Sequence, residues 1–231
     1  RSIELLNQAL ALDPEFARAY AGLAAAYVVM PGYSDQSVET MNDMAAAAAR
    51  QALARDPNLA EAHAVLAEID ATEGNWADAE AGFFFATALD PNDPSTHQWY
   101  SLLLRLTGRL QAALEQAQLA LELDPTSPVI NSNLADTYLV LGYDEKALSF
   151  RQTAIDLGLD TTHSDGSVER IVELRAGEGT KVAEFLRALP EEGRPSDAFI
   201  DALEATIQDR ANWPQLEQVV LTEEMPPDAR F

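Results

Sequence analysis

Apolar residues recur at spacings of three and four along most of the chain, the pattern of amphipathic helices. In the segment 110–123 they are Leu110, Ala113, Leu114, Ala117, Ala120 and Leu121. Pro125 then ends the helix, because proline cannot continue the backbone hydrogen bonding of a helix. The segment 94–108 predicts another helix, which begins at a proline and ends before Gly108, as these residues favour. The pattern therefore predicts pairs of helices joined by short turns.

The helix pairs repeat with a step of 34 residues. Three blocks start at Ala60, Pro94 and Pro128 and carry the same residue at several offsets. The matched sets are Gly74, Gly108 and Gly142; Ala79, Ala113 and Ala147; Ala86, Ala120 and Ala154; and Leu89, Leu123 and Leu157. A fixed period in this range is typical of a helical solenoid, in which each unit buries its apolar face against its neighbours. We therefore predict an all-α solenoid, with alanine where two helices approach closely.

The repeat covers residues 1–161 and fades beyond them. This region divides into a partial repeat at 1–16 and repeats at 17–59, 60–93, 94–127 and 128–161. The repeat 17–59 is nine residues longer than the others, and we place the surplus in the turn-rich stretch Met30–Ser37. Residues 162–231 hold helical patterns separated by glycine and proline, which predicts an irregular C-terminal helical cap and a tail. Because the chain opens on the second half of a repeat, we expect the first half to precede Arg1 in a longer protein.

Composition and charge limit the classes of partner that the chain can bind. The chain has 15 basic and 38 acidic residues, a net charge of −23, and no cysteine. Because phosphate contacts need a basic face, we expect no nucleic-acid binding by this region. The acidity fits either attraction to a basic partner or a general acidity that serves solubility. No apolar run reaches the roughly 20 residues of a membrane span, so we expect no membrane contact. We favour a cytoplasmic location, with the periplasmic side of a membrane-anchored parent as the alternative.

The alternation of small and large residues resembles the tetratricopeptide repeat. Leu66, Tyr100 and Leu134 hold one large position, and Ala67, Ser101 and Ala135 hold the small one beside it. The block boundaries at 60–67, 75–80, 91–100 and 123–131 are similar to C-terminal regions of bacterial sensor proteins. Those proteins join such repeats to an N-terminal class III adenylate or guanylate cyclase domain, or to a winged-helix DNA-binding domain. The resemblance implies a right-handed tetratricopeptide-like helical solenoid within a larger signalling protein.

The same resemblance implies a protein-binding groove, because the first helices of successive tetratricopeptide repeats line a concave face. The candidate residues are Glu61, Glu68, Gln98, Trp99, Leu102, Arg105, Ser132, Asn133 and Asp136. Trp99 and Leu102 would anchor an apolar group, and Arg105 is the one cation in this set. The acids favour a protein or peptide partner that is basic and apolar. The alternative for Trp99 is a packing role at the junction of two repeats.

No constellation of residues for catalysis appears in the sequence. His63 and His97 share an offset with Asn131, which indicates packing positions rather than metal ligands. The segment 177–181 lacks the upstream glycine and the residue order of a phosphate loop. We therefore predict a non-catalytic interaction scaffold without a cofactor or metal. The alternatives are an assembly scaffold of the periplasm or cytoplasm, and an enzyme domain with a site in 162–231.

Two features fit the helix pattern less well. The rings of Phe83, Phe84 and Phe85 are adjacent in the chain, and one helix cannot bury three adjacent rings on one face. We therefore expect one ring at the surface. Asp70 stands where the other repeats hold large side chains, so its carboxyl needs either solvent or a partner.

Overall fold

The structure is a computed structural model that describes residues 2–33, 36–159, 167–176, 179–188 and 196–209. These residues form 12 α-helices, one short 3-10 helix and no strand. The chain divides into two compact units, Arg1–Leu159 and Asp160–Phe231. Helices α1 to α9 belong to the first unit, and helices α10 to α12 belong to the second.

In the first unit, the described residues form one helix followed by four helix pairs. The single helix is α1 (Ser2–Leu12), and the pairs are α2 (Ala17–Val29) with α3 (Val38–Arg55), α4 (Ala60–Thr72) with α5 (Trp76–Leu89), α6 (Pro94–Leu106) with α7 (Leu110–Leu123), and α8 (Pro128–Val140) with α9 (Asp144–Asp156). Each second helix also packs on the first helix of the next pair. The first helices contact one another in the order α2, α4, α6, α8. They therefore form a continuous layer, which we call the inner layer.

The same turn joins the two helices in each of the last three pairs. Gly74, Gly108 and Gly142 adopt φ angles of 82, 78 and 81°, a conformation that glycine reaches without steric cost. The next residue then bonds back to the first helix, as Asn75 N donates to the carbonyl oxygen of Asp70 at 2.8 Å. This confirms the helix-ending glycine that the sequence predicts.

Alanine forms the contact between paired helices. Each second helix has two fully buried alanines, and each of these alanines recurs 34 residues later in the second helix of the next pair. They are Ala45 and Ala52, Ala79 and Ala86, Ala113 and Ala120, and Ala147 and Ala154. Gly82 extends this contact, since a Cβ atom built there would lie 2.8 Å from the Cβ of Ala67. Small side chains therefore set the distance between the paired helices.

A side chain at the fourth position of three first helices ties each helix to the Asp-Pro turn before it. Nε2 of His63 lies 2.8 Å from the carbonyl oxygen of the turn proline, and Nε2 of His97 lies 3.0 Å from its own turn proline. Asn131 donates from Nδ2 to the equivalent oxygen at 3.1 Å. The shared offset of these residues thus reflects a shared hydrogen bond within the fold.

The repeat 17–59 places its additional residues differently from the sequence prediction. Met30–Tyr33 form a 3-10 helix, and α3 begins at Val38 after Ser37, whose side chain caps the helix. By the repeat offset, Asn42 matches Trp76, the first residue of α5. Four of the nine additional residues therefore lengthen α3 instead of the turn.

The second unit contains α10 (Ser167–Arg175), α11 (Gly179–Ala188) and α12 (Asp197–Gln208). Helix α11 packs against both α10 and α12. Arg187 of α11 pairs with Asp201 and Glu204 of α12. Residues 210–231, which include the predicted tail, lie outside the described residues.

We expect Gly82→Ala to destabilise the first unit, although alanine favours helices over glycine by about 1 kcal/mol. The added methyl would overlap the short side chain of Ala67, which cannot rotate away, and overpacking typically costs about 1–3 kcal/mol. Gly22→Ala is the matched control, because its methyl would meet the flexible end of Leu6 at 3.2 Å. Chemical unfolding should show Gly82→Ala to be less stable than Gly22→Ala by about 1–2 kcal/mol. Equal stabilities would contradict the close approach of α4 and α5.

Candidate functional site

The inner layer presents a row of half-buried side chains, one from the ninth position of each first helix. This row, the ninth-position row, consists of Ala25, Glu68, Leu102 and Asp136. Because consecutive first helices contact each other, equivalent positions lie side by side across the layer. Glu61 at the second position of α4 and Arg105 at the twelfth position of α6 are also half-buried. Of the predicted groove residues, six are half-buried: Glu61, Glu68, Leu102, Arg105, Ser132 and Asp136.

Three predicted groove residues are buried in the layer: Gln98, Trp99 and Asn133. Trp99 keeps 9% of its surface exposed and packs in the hydrophobic core with Leu103, and Gln98 keeps 8% exposed. The corresponding residues of α4, Ala64 and Val65, are fully buried. The burial of Trp99 favours the packing role at a repeat junction over that of an exposed aromatic anchor.

Glu68 is a carboxyl group in a largely desolvated position. Burial raises the pKa of Glu68 from 4.5 to about 7, because desolvation disfavours the charged form. No neighbouring charge among the described residues offsets this effect. The charged and neutral forms therefore coexist near neutral pH, and a cation brought by a partner would favour the charged form.

Glu61 experiences two opposing charges at the start of α4. Burial raises the pKa of Glu61, Asp93 raises it further, and Arg18 lowers it. Arg18 holds the second position of α2, the same offset that Glu61 holds in α4. The sequence prediction did not include Arg18, although applying the offsets to the repeat 17–59 would have found it.

A polar seam joins α6 to α8. Nη1 of Arg105 lies 3.6 Å from Oδ2 of Asp136, and the buried Ser101 donates from Oγ to Oδ1 of Asn133 at 3.1 Å. That bond orients the Asn133 amide. Nδ2 of Asn133 and Nε of Arg105 are buried without a hydrogen-bond acceptor among the described residues. The seam therefore holds two buried donors that the described residues leave unsatisfied.

Ser132 of α8 accepts a hydrogen bond from the second helix of its own pair. Arg151 of α9 is buried, and its Nη1 donates to Oγ of Ser132 at 3.2 Å. Phe83 and Ala117 hold the same offset in the two preceding pairs. A charged residue at a core offset needs hydrogen-bond acceptors. The presence of an arginine at an offset that holds apolar residues in the preceding pairs is therefore the sequence feature from which this contact behind the predicted groove could have been predicted.

A separate concavity lies between α3 and α4, with a volume of about 270 Å³. Its polar lining includes Asn42, Asp43, Arg50, Asp70 and Glu73. Asp70 is half-buried on this wall, so the acid at the apolar offset faces a solvent-filled space.

The part of the chain that the structure describes contains no cluster of three or more side chains suited to hold a metal ion. None of the described helices is both long and apolar enough to cross a membrane.

Comparison with known proteins identifies the class of fold. No protein-family model matches the chain, and no curated protein matches it. Among solved structures, it resembles the tetratricopeptide protein TTC0263 of Thermus thermophilus, with 20% identity and a TM-score of 0.57 over 74% of this chain and 88% of that one. It also resembles pilF of Pseudomonas aeruginosa, with 19% identity and a TM-score of 0.59 over 89% of each chain.

A third similar structure is the human IFIT1 dimer with m7Gppp-AAAA, with 17% identity and a TM-score of 0.64. This match covers 96% of the chain and 55% of IFIT1. The chain therefore has the fold of a tetratricopeptide solenoid, which confirms the fold class predicted from the 34-residue step.

We expect Glu68→Gln to stabilise the protein above pH 7 and to have little effect near pH 4. The folded state holds the Glu68 proton up to about pH 7, whereas the ordinary pKa of a glutamate is 4.5. The stability of the wild type therefore falls as the pH rises between these values. Glutamine removes this loss, a gain of about 1–3 kcal/mol at pH 8.

Denaturant titration at about pH 4, 6 and 8 measures the free energy of unfolding of both proteins. Glu115→Gln, at an exposed position of α7, is the control. A difference between Glu68→Gln and wild type that stays constant with pH would contradict the desolvation of Glu68.

Proposed function

We propose that the inner layer is a binding surface for a protein or peptide that carries a lysine or arginine beside an apolar residue. The observation that carries this proposal is the desolvated Glu68 carboxyl, which no neighbouring charge among the described residues offsets. Leu102 follows Glu68 in the ninth-position row and is half-buried. A partner cation would meet Glu68 while an apolar neighbour covers Leu102. The chain then acts as a non-catalytic interaction scaffold.

The charges along the inner layer give the partner a direction. Glu61 and Glu68 make the α4 side acidic, whereas on the α6–α8 side Arg105 pairs with Asp136. A bound segment would therefore place its cation towards α4. Because complementary charges fix register and suppress wrong partners, this polarity would exclude a segment bound in the reverse direction.

Proton release should accompany this binding. A partner cation favours the charged form of Glu68 and so lowers its pKa from about 7. Below that pH the carboxyl must lose a proton before it can pair, which weakens binding. The proposed surface is therefore sensitive to pH in the neutral range.

We also propose that this solenoid is the regulatory region of a larger bacterial signalling protein. The support is the similarity of the block boundaries to those of sensor proteins with a cyclase or winged-helix domain. The genomic reading frame upstream of Arg1 tests this proposal. A cyclase or winged-helix domain there would support it, and a different domain would contradict it, while the proposed binding surface would stand in either case.

Selection of N-acetylated, histidine-free peptides from a random library against the whole chain tests the binding surface. We expect the selected peptides to combine a lysine or arginine with an apolar residue. Leu102→Ser and Glu68→Gln should each weaken binding at least about tenfold. Leu119→Ser and Glu115→Gln, both at exposed positions of α7, are the matched controls.

The pH dependence separates Glu68 from other acids on the surface. Affinity for the wild type should fall between about pH 8 and pH 6, and Glu68→Gln should bind with little change over that range. If Leu102→Ser and Glu68→Gln both keep full affinity, the inner layer is not the binding surface.

A further inference from the structure

We propose that the outer face of α5 is a second docking surface, for an amphipathic partner helix whose apolar stripe is bordered by lysine or arginine. This face, the α5 outer face, consists of Trp76, Ala77, Ala81, Phe84, Phe85 and Ala88, all exposed. The opposite side of α5 packs in the core through Ala79, Phe83 and Ala86. Helix α5 is therefore apolar on both sides, although its outer side is largely exposed.

The α5 outer face exposes three aromatic residues. Trp76 is 53% exposed, Phe84 69% and Phe85 46%. Aromatic side chains offer 150–250 Å² each, so these three leave roughly 300 Å² of apolar surface at the solvent. Contiguous patches of about 300–600 Å² are the largest on typical monomers and are often functional. The sequence predicted one exposed ring among the three adjacent phenylalanines, and the structure has two.

The other helix pairs show that the fold does not require an aromatic residue at this face. The residues at the offset of Phe84 are Arg50, Gln118 and Gln152, all polar and exposed. Since three pairs satisfy this position with a solvated side chain, Phe84 adds nothing to the packing of the repeat. An aromatic residue that the fold does not use is better explained by a partner that covers it.

The geometry of α5 suits a helix laid along it. Trp76 and Phe84 are eight residues apart, which places them about 12 Å apart along the helix axis. Glu80, which is half-buried and pairs with Arg109 just before α7, lies one turn from each ring. The exposed Ala77 and Ala81 beside it let another helix approach closely. A partner would match this spacing with apolar residues at i, i+3 or i+4, and i+7.

One anchor of this face is already held in place. The rings of His63 and Phe85 meet edge to face with centroids 4.8 Å apart, and Nε2 of His63 lies 2.8 Å from the turn carbonyl of Pro57. Phe85 therefore has little rotational freedom to lose when a partner binds, which lowers the entropic cost of association.

Charge selects the occupant. Exposed acids flank the apolar stripe at both ends of α5: Glu73 and Asp78 at one end and Asp90 at the other. No lysine or arginine occurs between Arg55 and Arg105. Two copies would therefore repel each other here, whereas a basic amphipathic helix would be attracted.

A displayed library of amphipathic helices with a randomised surface tests this proposal, selected on the whole wild-type chain and counter-selected on Phe84→Gln. Glutamine is the residue at this offset in α7 and α9, so the variant should fold normally, as circular dichroism and unfolding would verify. We expect the selected helices to carry lysine or arginine beside an apolar stripe. Their affinity should fall at least about tenfold with Phe84→Gln and change less than about twofold with Leu119→Ser on α7.

Several results would overturn the proposal. One is that no helix distinguishes the wild type from Phe84→Gln, and another is that the helices which do so lack basic residues. A dimer of the wild type that Phe84→Gln abolishes in sedimentation would assign this face to a second copy. Binding to phosphatidylcholine vesicles that Phe84→Gln abolishes would assign it to a lipid surface. Because Leu102 and Glu68 lie on the inner layer, variants there leave this test unaffected.

Discussion

The close approach of paired helices at alanine is the constraint on which the rest of the first unit depends. Every second helix from α3 to α9 contributes two fully buried alanines at the same two offsets. Two helices this close leave no space for large side chains along their contact. Large residues must then lie between successive pairs, as Phe83 and Trp99 do, or at a surface. The stacking of pairs and the composition of both outer surfaces follow from this division.

The two proposed binding surfaces differ in what they cost the folded protein. On the inner layer, Glu68 holds a carboxyl in a desolvated position with no neighbouring charge among the described residues to offset it, which lowers stability at neutral pH. On the second helix of the pair, α5, Phe84 exposes an apolar ring at an offset where the other three pairs hold polar, exposed side chains. Neither feature helps the chain to fold. Natural sequences usually break local consistency of this kind at functional sites, and here both departures fall within the pair α4–α5.

The sequence predicted the repeat more fully than the site. The 34-residue step and the helix-ending residues predicted the observed bounds of α7 and the observed start of α6, because caps and breakers act locally. Periodicity also predicts which residues share a helix face, but it does not predict how deeply a neighbouring helix covers that face. Trp99 and Gln98 share a face with Leu102, yet they are buried where α6 meets its neighbours. The sequence also did not predict that four of the additional residues lengthen α3. The stretch that precedes Ser37 has the composition of a turn, and all nine additional residues were therefore placed there.

The separation of the two proposed surfaces decides how they act together. The helices of the α4–α5 pair approach closely, since a Cβ atom at Gly82 would lie 2.8 Å from the Cβ of Ala67. Electrostatic coupling between the surfaces is weak, because groups on opposite sides of a helix pair are about 20 Å apart, given axes 8–10 Å apart. Salt screens charges beyond about 8 Å at physiological ionic strength. The pair α4–α5 would thus hold two partners at the same time and at independent affinities, which is the behaviour expected of a scaffold.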